Sequence, residues 1–173
     1  MKRVPAKKRI LQMETSLEQR LGPLLRSRGW TLAVAESCTG GLLADRITNV
    51  PGSSDYFLGG IVAYSNTAKE HFLGVRSSTL EAHGAVSQET ALEMAVGVRR
   101  AFGADLAVAI TGLAGPGGAQ AGKPVGLTFI GLSSPAGDRV ARHVWPADRQ
   151  GNKSLSAEAT LKMLLEELER SDG

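Results

Sequence analysis

Apolar and polar positions alternate along the chain in two rhythms, a helical one and a run-like one. Leu17, Leu21, Leu24 and Leu25 recur at helical spacing behind Thr15 and Ser16, which predicts a capped amphipathic helix, with Pro23 a point of kinking or restart. TLAVA (31–35) is short, apolar and partly β-branched, so it predicts a buried strand, and GGLLADRITNV after it predicts a helix. GIVAYS (60–65) predicts a second strand, followed by the short helix NTAKEHFL with Asn66 as its N-cap. SQETALEMAVGVRRAF predicts a longer helix opened by Ser87, with Leu92, Ala95, Val96 and Val98 on one side. DLAVAIT (105–111) predicts a third buried strand that runs into the loop GLAGPGGAQAGKP.

VGLTFIGLSS and RVARHVWP, separated by Pro135-Ala136-Gly137-Asp138, predict a late β-hairpin, and Leu155, Leu161, Leu164, Leu165 and Leu168 predict a closing helix. Strands alternating with helices imply an α/β layered domain, and the hairpin implies a mixed, mostly parallel sheet flanked by helices. The expected organisation is a basic, disordered tail at 1–14 and a single domain at 15–173. Working groups in such sheets lie in loops at strand ends.

Charge changes the picture little. The 173 residues carry Lys+Arg 20 against Asp+Glu 17, but Lys2, Arg3, Lys7, Lys8 and Arg9 fall within the first ten. The remainder holds 15 basic and 17 acidic residues. The body therefore has no polyanion footprint, and nucleic acid and membrane are not expected partners. One cysteine excludes an internal disulfide framework and a Cys-rich zinc site. No apolar run reaches the roughly 18 residues of a membrane span, and the basic start lacks the apolar core of a signal peptide, so the expected location is the cytoplasm.

Three strand ends carry candidate chemistry. At Glu36-Ser37-Cys38-Thr39-Gly40-Gly41 a strand gives way to a helix, where a nucleophile would sit on a tight turn beside free amides able to hold an oxyanion or an anion. Ordinary helix capping uses the same residue types. Cys38 is a rival nucleophile, but none of His71, His83 and His143 is placed in sequence to serve it, and a small buried filler is the alternative. The second end, Tyr64-Ser65-Asn66-Thr67-Ala68-Lys69, offers a lysine that burial could turn into a base for a serine, with a tyrosine to relay the proton. The third, Thr111 to Gly118, is rich in glycine, which lets backbone amides approach an anion closely; a plain flexible connection is its bland reading. Arg149 and Lys153 could clamp a phosphate or be surface charge. No metal-ligand motif and no cofactor fingerprint occurs, so the expected enzyme is a metal-free hydrolase without a cofactor.

The segments VAESCTGGLLADRIT, PGSSDYFLGGIVAYSNTAKEHFLGV, GAVSQETALEMAVGVR, ADLAVAITGLAGPGG and KPVGLTFIGL, in this order, resemble the C-terminal domain family of the competence/damage-inducible protein CinA. These are the nicotinamide-nucleotide amidases, or nicotinamide mononucleotide deamidases. The resemblance runs from about Thr31 to the final helix and implies a stand-alone form, since the length leaves no room for the molybdopterin-binding-like domain of longer relatives.

The resemblance implies hydrolysis of nicotinamide mononucleotide to nicotinate mononucleotide and ammonia, a step in pyridine nucleotide recycling. It places the family's serine nucleophile on Ser37, its tyrosine on Tyr64, its lysine on Lys69 and its functional threonine on Thr111. Thr39, Gly40, Gly112, Gly115, Gly117 and Arg149 are expected to bind the substrate and its phosphate. The family's GDR segment reads Ala147-Asp148-Arg149 here, and a further arginine is replaced by Lys153. The expected mechanism has Lys69, sharing a proton with Tyr64, activate Ser37. A homo-oligomer, most simply a dimer, is expected. The alternative is a nucleotide-binding module tied to competence or DNA damage, without amidase activity.

Overall fold

The computed structural model describes residues 15–170, so the expected tail at 1–14 lies outside the described residues. Helix α1 spans Leu17–Arg28. Gln19 Oε1 accepts from the Ser16 amide at 3.0 Å at its start, and Gly29 closes it in a left-handed conformation. The helix runs through Pro23 without restarting, and Leu21 and Leu25 on either side of the proline are fully buried. Packing holds the turn that the proline weakens.

Strand β1 (Leu32–Glu36) leads to helix α2 (Leu42–Thr48), and a 3₁₀ turn at Ser53–Asp55 leads to β2 (Phe57–Val62). Helices α3 (Asn66–Leu73), α4 (Ser77–His83) and α5 (Gln88–Phe102) follow, then β3 (Leu106–Gly112), β4 (Leu127–Ser134), β5 (Gly137–Val144) and α6 (Arg149–Arg170). The sheet order is β2-β1-β3-β4-β5. The first three strands of that order are mutually parallel, β4 is antiparallel to β3, and β5 is antiparallel to β4. Only β4 therefore opposes the common direction, which is the mixed, mostly parallel sheet expected from the pattern.

The two faces of β1 and β3 are unequal. Leu32, Val34, Leu106, Val108 and Ile110 pack into a core with residues of α1, α2 and α6. Ala33, Ala35, Ala107 and Ala109 pack against α3, α4 and α5. Small residues on that side let the helices come close. Gly97 of α5 is the extreme case, because a Cβ there would lie 1.8 Å from the Leu73 carbonyl oxygen at the end of α3. Helix α3 is thus drawn against α5, and α3 carries Lys69.

Three local details differ from expectation. β2 begins at Phe57 and ends at Val62 rather than running from 60 to 65, because Gly59 and Gly60 continue the ladder with β1. The N-cap of α3 is Ser65, whose Oγ accepts from the Ala68 amide at 3.1 Å, with Asn66 the first helical residue. Helix α4 has no counterpart in the sequence pattern, and tertiary bonds hold it: Glu93 of α5 accepts from Thr79 Oγ1 at 2.7 Å and pairs with Arg76. Ser87 caps α5 as expected, accepting from the Thr90 amide at 3.1 Å. No helix among the described residues is long and apolar enough to cross a membrane.

Candidate active site

β1, β2 and β3 end at the same edge of the sheet, and the segments leaving them converge on one cleft. Ser37 follows directly on β1 and Lys69 sits one turn inside α3. Lys69 is 1% exposed, and its Nζ lies 3.0 Å from Ser37 Oγ and 2.8 Å from the Ala63 carbonyl oxygen. Burial holds the Lys69 ammonium below the ordinary lysine range. No carboxylate accepts from Lys69 among the described residues. The Lys69 Nζ donates to both oxygens.

Cys38 is mostly buried, and desolvation, opposed in part by its own backbone amide, pushes its thiol up to about 11. Such a thiol carries almost no thiolate near neutrality, so Cys38 is poorly suited to act as a nucleophile, and Ser37 is the other candidate on this turn.

Tyr64 is 62% exposed, and its hydroxyl accepts from Arg149 Nη2 at 3.0 Å. Among the described residues no hydrogen bond joins Tyr64 to Lys69, so the expected pairing gives way to one with the arginine. Arg149, the first residue of α6, also donates through Nη1 to the Gly115 carbonyl oxygen at 2.7 Å. It spans the cleft from Tyr64 to the loop after β3. Asn152, one turn on, supports that loop by donating to the Ala114 carbonyl oxygen at 3.0 Å. Thr111 is buried, and its hydroxyl proton is given to the Ala85 carbonyl oxygen at 2.7 Å, so toward a ligand its oxygen can only accept.

The cleft measures about 260 Å³, and Ser37, Tyr64, Lys69, Thr111, Gly112, Gly115, Gly117 and Arg149 all line it. Lys69 and Arg149 are the basic residues in its wall and no acidic residue lines it, so with Lys69 buried as an amine the Arg149 end of the cleft suits an anionic ligand. Thr39 and Gly40 are not in the wall. Thr39 is buried with its hydroxyl lacking a partner among the described residues, and the Gly40 amide donates to the Ser37 carbonyl oxygen at 3.1 Å. Lys153 approaches the same turn from α6, 3.9 Å from where a Cβ on Gly40 would lie.

Sequence reasoning missed three contributors. Ala85 and Val86, in the segment before α5, complete the wall, and no local signal marks them. Glu36 is fully buried behind the turn, with its carboxylate accepting from the amides of Gly41, Leu43 and Ala44. A charged residue closing an otherwise apolar strand is the signal that could have found it. Its carboxylate therefore already occupies the amides of Gly41, Leu43 and Ala44 at the start of α2.

Comparison with known proteins shows where the arrangement belongs. The CinA C-terminal domain family matches residues 14–168. The chain belongs to this family. A CinA-like protein of Chloroherpeton thalassium is 52% identical over 159 residues, covering 90% of this chain and 38% of that protein. The chain thus spans little more than a third of the length of such curated relatives. Among solved structures, a CinA superfamily protein from Klebsiella pneumoniae superposes with a TM-score of 0.86 at 34% identity, covering 89% of this chain and 96% of that one. The competence/damage inducible protein CihA from Agrobacterium tumefaciens gives a TM-score of 0.81 at 40% identity, with 86% and 92% covered.

Proposed function

We propose that this CinA-family chain is a serine amidase that hydrolyses the carboxamide of nicotinamide mononucleotide to nicotinate mononucleotide and ammonia. The observation that carries the reading is the buried Lys69 amine 3.0 Å from Ser37 Oγ. A module that only binds nucleotides has no need of a desolvated amine on a serine hydroxyl. The basic wall supports an anionic substrate, and the resemblance of the Ser37, Tyr64, Lys69, Thr111 and Arg149 positions to the amidases supports this one.

In this mechanism the Ser37 Oγ–H proton passes to neutral Lys69 Nζ as Oγ bonds to the carboxamide carbon. The tetrahedral oxyanion takes hydrogen bonds from backbone amides of the Ser37 turn. The lysine ammonium then protonates the carboxamide nitrogen, the C–N bond breaks, ammonia leaves, and an ester joins Ser37 to the nicotinoyl group. Water attacks that ester with Lys69 accepting its proton; the proton returns to Ser37 Oγ, and the carboxylate product departs. Arg149, held between Tyr64 and Gly115, binds the phosphate, with Lys153 close to the same turn. Thr111 offers its oxygen to the substrate or to the attacking water. The test is product analysis with nicotinamide mononucleotide and, separately, the phosphate-free riboside. Nicotinate mononucleotide should form at a kcat/KM at least about 10-fold above that of riboside deamidation. Equal turnover of the two would remove the role given to Arg149, and turnover of neither would remove the substrate assignment.

A further inference from the structure

The backbone around Ser37 can be accounted for amide by amide. Ser37 N–H donates to the Ile110 carbonyl oxygen of β3 at 2.9 Å, Gly40 N–H to the Ser37 carbonyl at 3.1 Å, and Leu42 N–H to the Thr39 carbonyl at 3.2 Å. Gly41 and Leu43 donate to Glu36 Oε2, each at 3.1 Å, and Ala44 donates to Glu36 Oε1 at 2.9 Å. From residue 37 to 44 only the amides of Cys38 and Thr39 have no oxygen acceptor among the described residues, and the Cys38 amide faces its own sulfur. Both residues are buried, and buried amides are nearly always paired. Cys38 directly follows the nucleophile, and Thr39 comes next.

Glu36 is what leaves that pair over. The N-cap position of α2 is Gly41, which has no side chain to offer, so the capping falls to a carboxylate from the preceding strand. It takes three amides that would otherwise compete for any anion at the turn. The same residue supports the other half of the dyad, because its backbone carbonyl accepts from Ala63 N–H at 2.9 Å and the Ala63 carbonyl accepts from Lys69 Nζ. Ser37 and the shelf that holds Lys69 therefore meet at Glu36.

We propose that Glu36 is a positioning residue for catalysis: its buried carboxylate clamps the start of α2 so that the Ser37 turn keeps the Cys38 and Thr39 amides free for a developing oxyanion. This rests on Ser37 being the nucleophile. It assigns Glu36 no proton transfer, since the carboxylate is spent on backbone amides.

Glu36→Gln separates positioning from plain stability. The glutamine keeps the size of the side chain, but its NH₂ must face an amide N–H where a carboxylate oxygen accepted. The full chain, wild type and variant, is reacted with a fluorophosphonate probe, in which Ser37 Oγ bonds to phosphorus, fluoride leaves and the serine proton goes to Lys69. Labelling of Ser37 is followed by intact mass, alongside kcat and KM for nicotinamide mononucleotide and a thermal melt that fixes the folded fraction. The expected result is a folded variant whose labelling rate and kcat both fall at least about 10-fold while KM stays within about twofold, as for a misplaced reacting group. A folded Glu36→Gln that labels at the wild-type rate overturns the proposal and leaves the nucleophile intact. A wild type that is not labelled at Ser37 removes the nucleophile and this proposal together. Should the glutamine variant fail to fold, Glu36→Asp, which keeps the charge and withdraws it by one methylene, is read against the same two outcomes.

Discussion

The Tyr64 hydroxyl accepts from Arg149 Nη2 at 3.0 Å, joining two residues 85 positions apart across the mouth of the cleft. The tyrosine hydroxyl is thus bonded at the basic end of the site, with no bond to the buried amine among the described residues. Tyr64→Phe removes that bond while leaving Ser37 and Lys69 in place. KM for nicotinamide mononucleotide should rise by about 3- to 10-fold, the range for an exposed charge-assisted hydrogen bond, with kcat changed less than about threefold. A large loss of kcat at unchanged KM would instead put Tyr64 in the path of the proton.

Lys69 fixes the sign of two pH dependences. Only the neutral amine can take the Ser37 proton, so kcat/KM should rise with pH through the pKa of Lys69 in the folded protein. Burial lowers that pKa, so the limb should lie below the ordinary lysine value of 10.5. Stability follows the same direction, because between the folded pKa and 10.5 the unfolded chain binds more protons than the folded one. Folding thus gains as pH rises across that window. Lys69→Met should abolish turnover, remove this component of the pH dependence and raise Tm at neutral pH, as seen by melts over a pH series. A rising activity limb centred at or above 10.5 would show that the amine is not desolvated.

Gly97 connects packing to chemistry. With a Cβ only 1.8 Å from the Leu73 carbonyl oxygen, Gly97→Ala must push α3 away from α5. Overpacking of this kind costs about 1–3 kcal/mol, and Tm should fall by about 2–4 °C for each of them. Since α3 carries Lys69, kcat should drop as well in the fraction that remains folded. A variant with unchanged Tm and kcat would mean that the helix pair relaxes without moving the lysine.

Cys38 supplies a control beside the nucleophile. With its thiol pushed up to about 11, iodoacetamide should modify it very slowly at neutral pH. Cys38→Ala should keep kcat within about threefold, since the small side chain packs rather than reacts. Rapid alkylation that tracks loss of activity would reopen the thiol as the reacting group.

The strands of the core were legible because LAVAE is buried throughout and LAVAITG at all but its last residue, and an apolar run needs no partner to be recognised. Ser87 announced α5 through its own capping chemistry. Helix α4 was not legible, because Glu93 across the layer holds it and its own pattern does not. At the site, spacing placed Ser37, Lys69, Thr111 and Arg149 at strand or helix ends, and the fold brings all four to one cleft. Thr39 and Gly40 share the Ser37 turn but lie outside the wall of the cleft, a placement that adjacency in sequence does not reveal. Tyr64 also lines the cleft, but its bond to Arg149 of α6 leaves no mark in the sequence. Glu36 and Ala85 act through bonds that only the assembled sheet creates.

A lysine-activated serine acting on a nucleotide carboxamide must release ammonia without a metal. The most direct measurement is ammonia release from nicotinamide mononucleotide by wild type and Ser37→Ala, side by side, with a chelator present. The wild type should release ammonia at an undiminished rate with the chelator, and Ser37→Ala should lose about four orders of magnitude in kcat while melting as the wild type does. Near-normal release by a folded Ser37→Ala, or none by a folded wild type, would contradict the account.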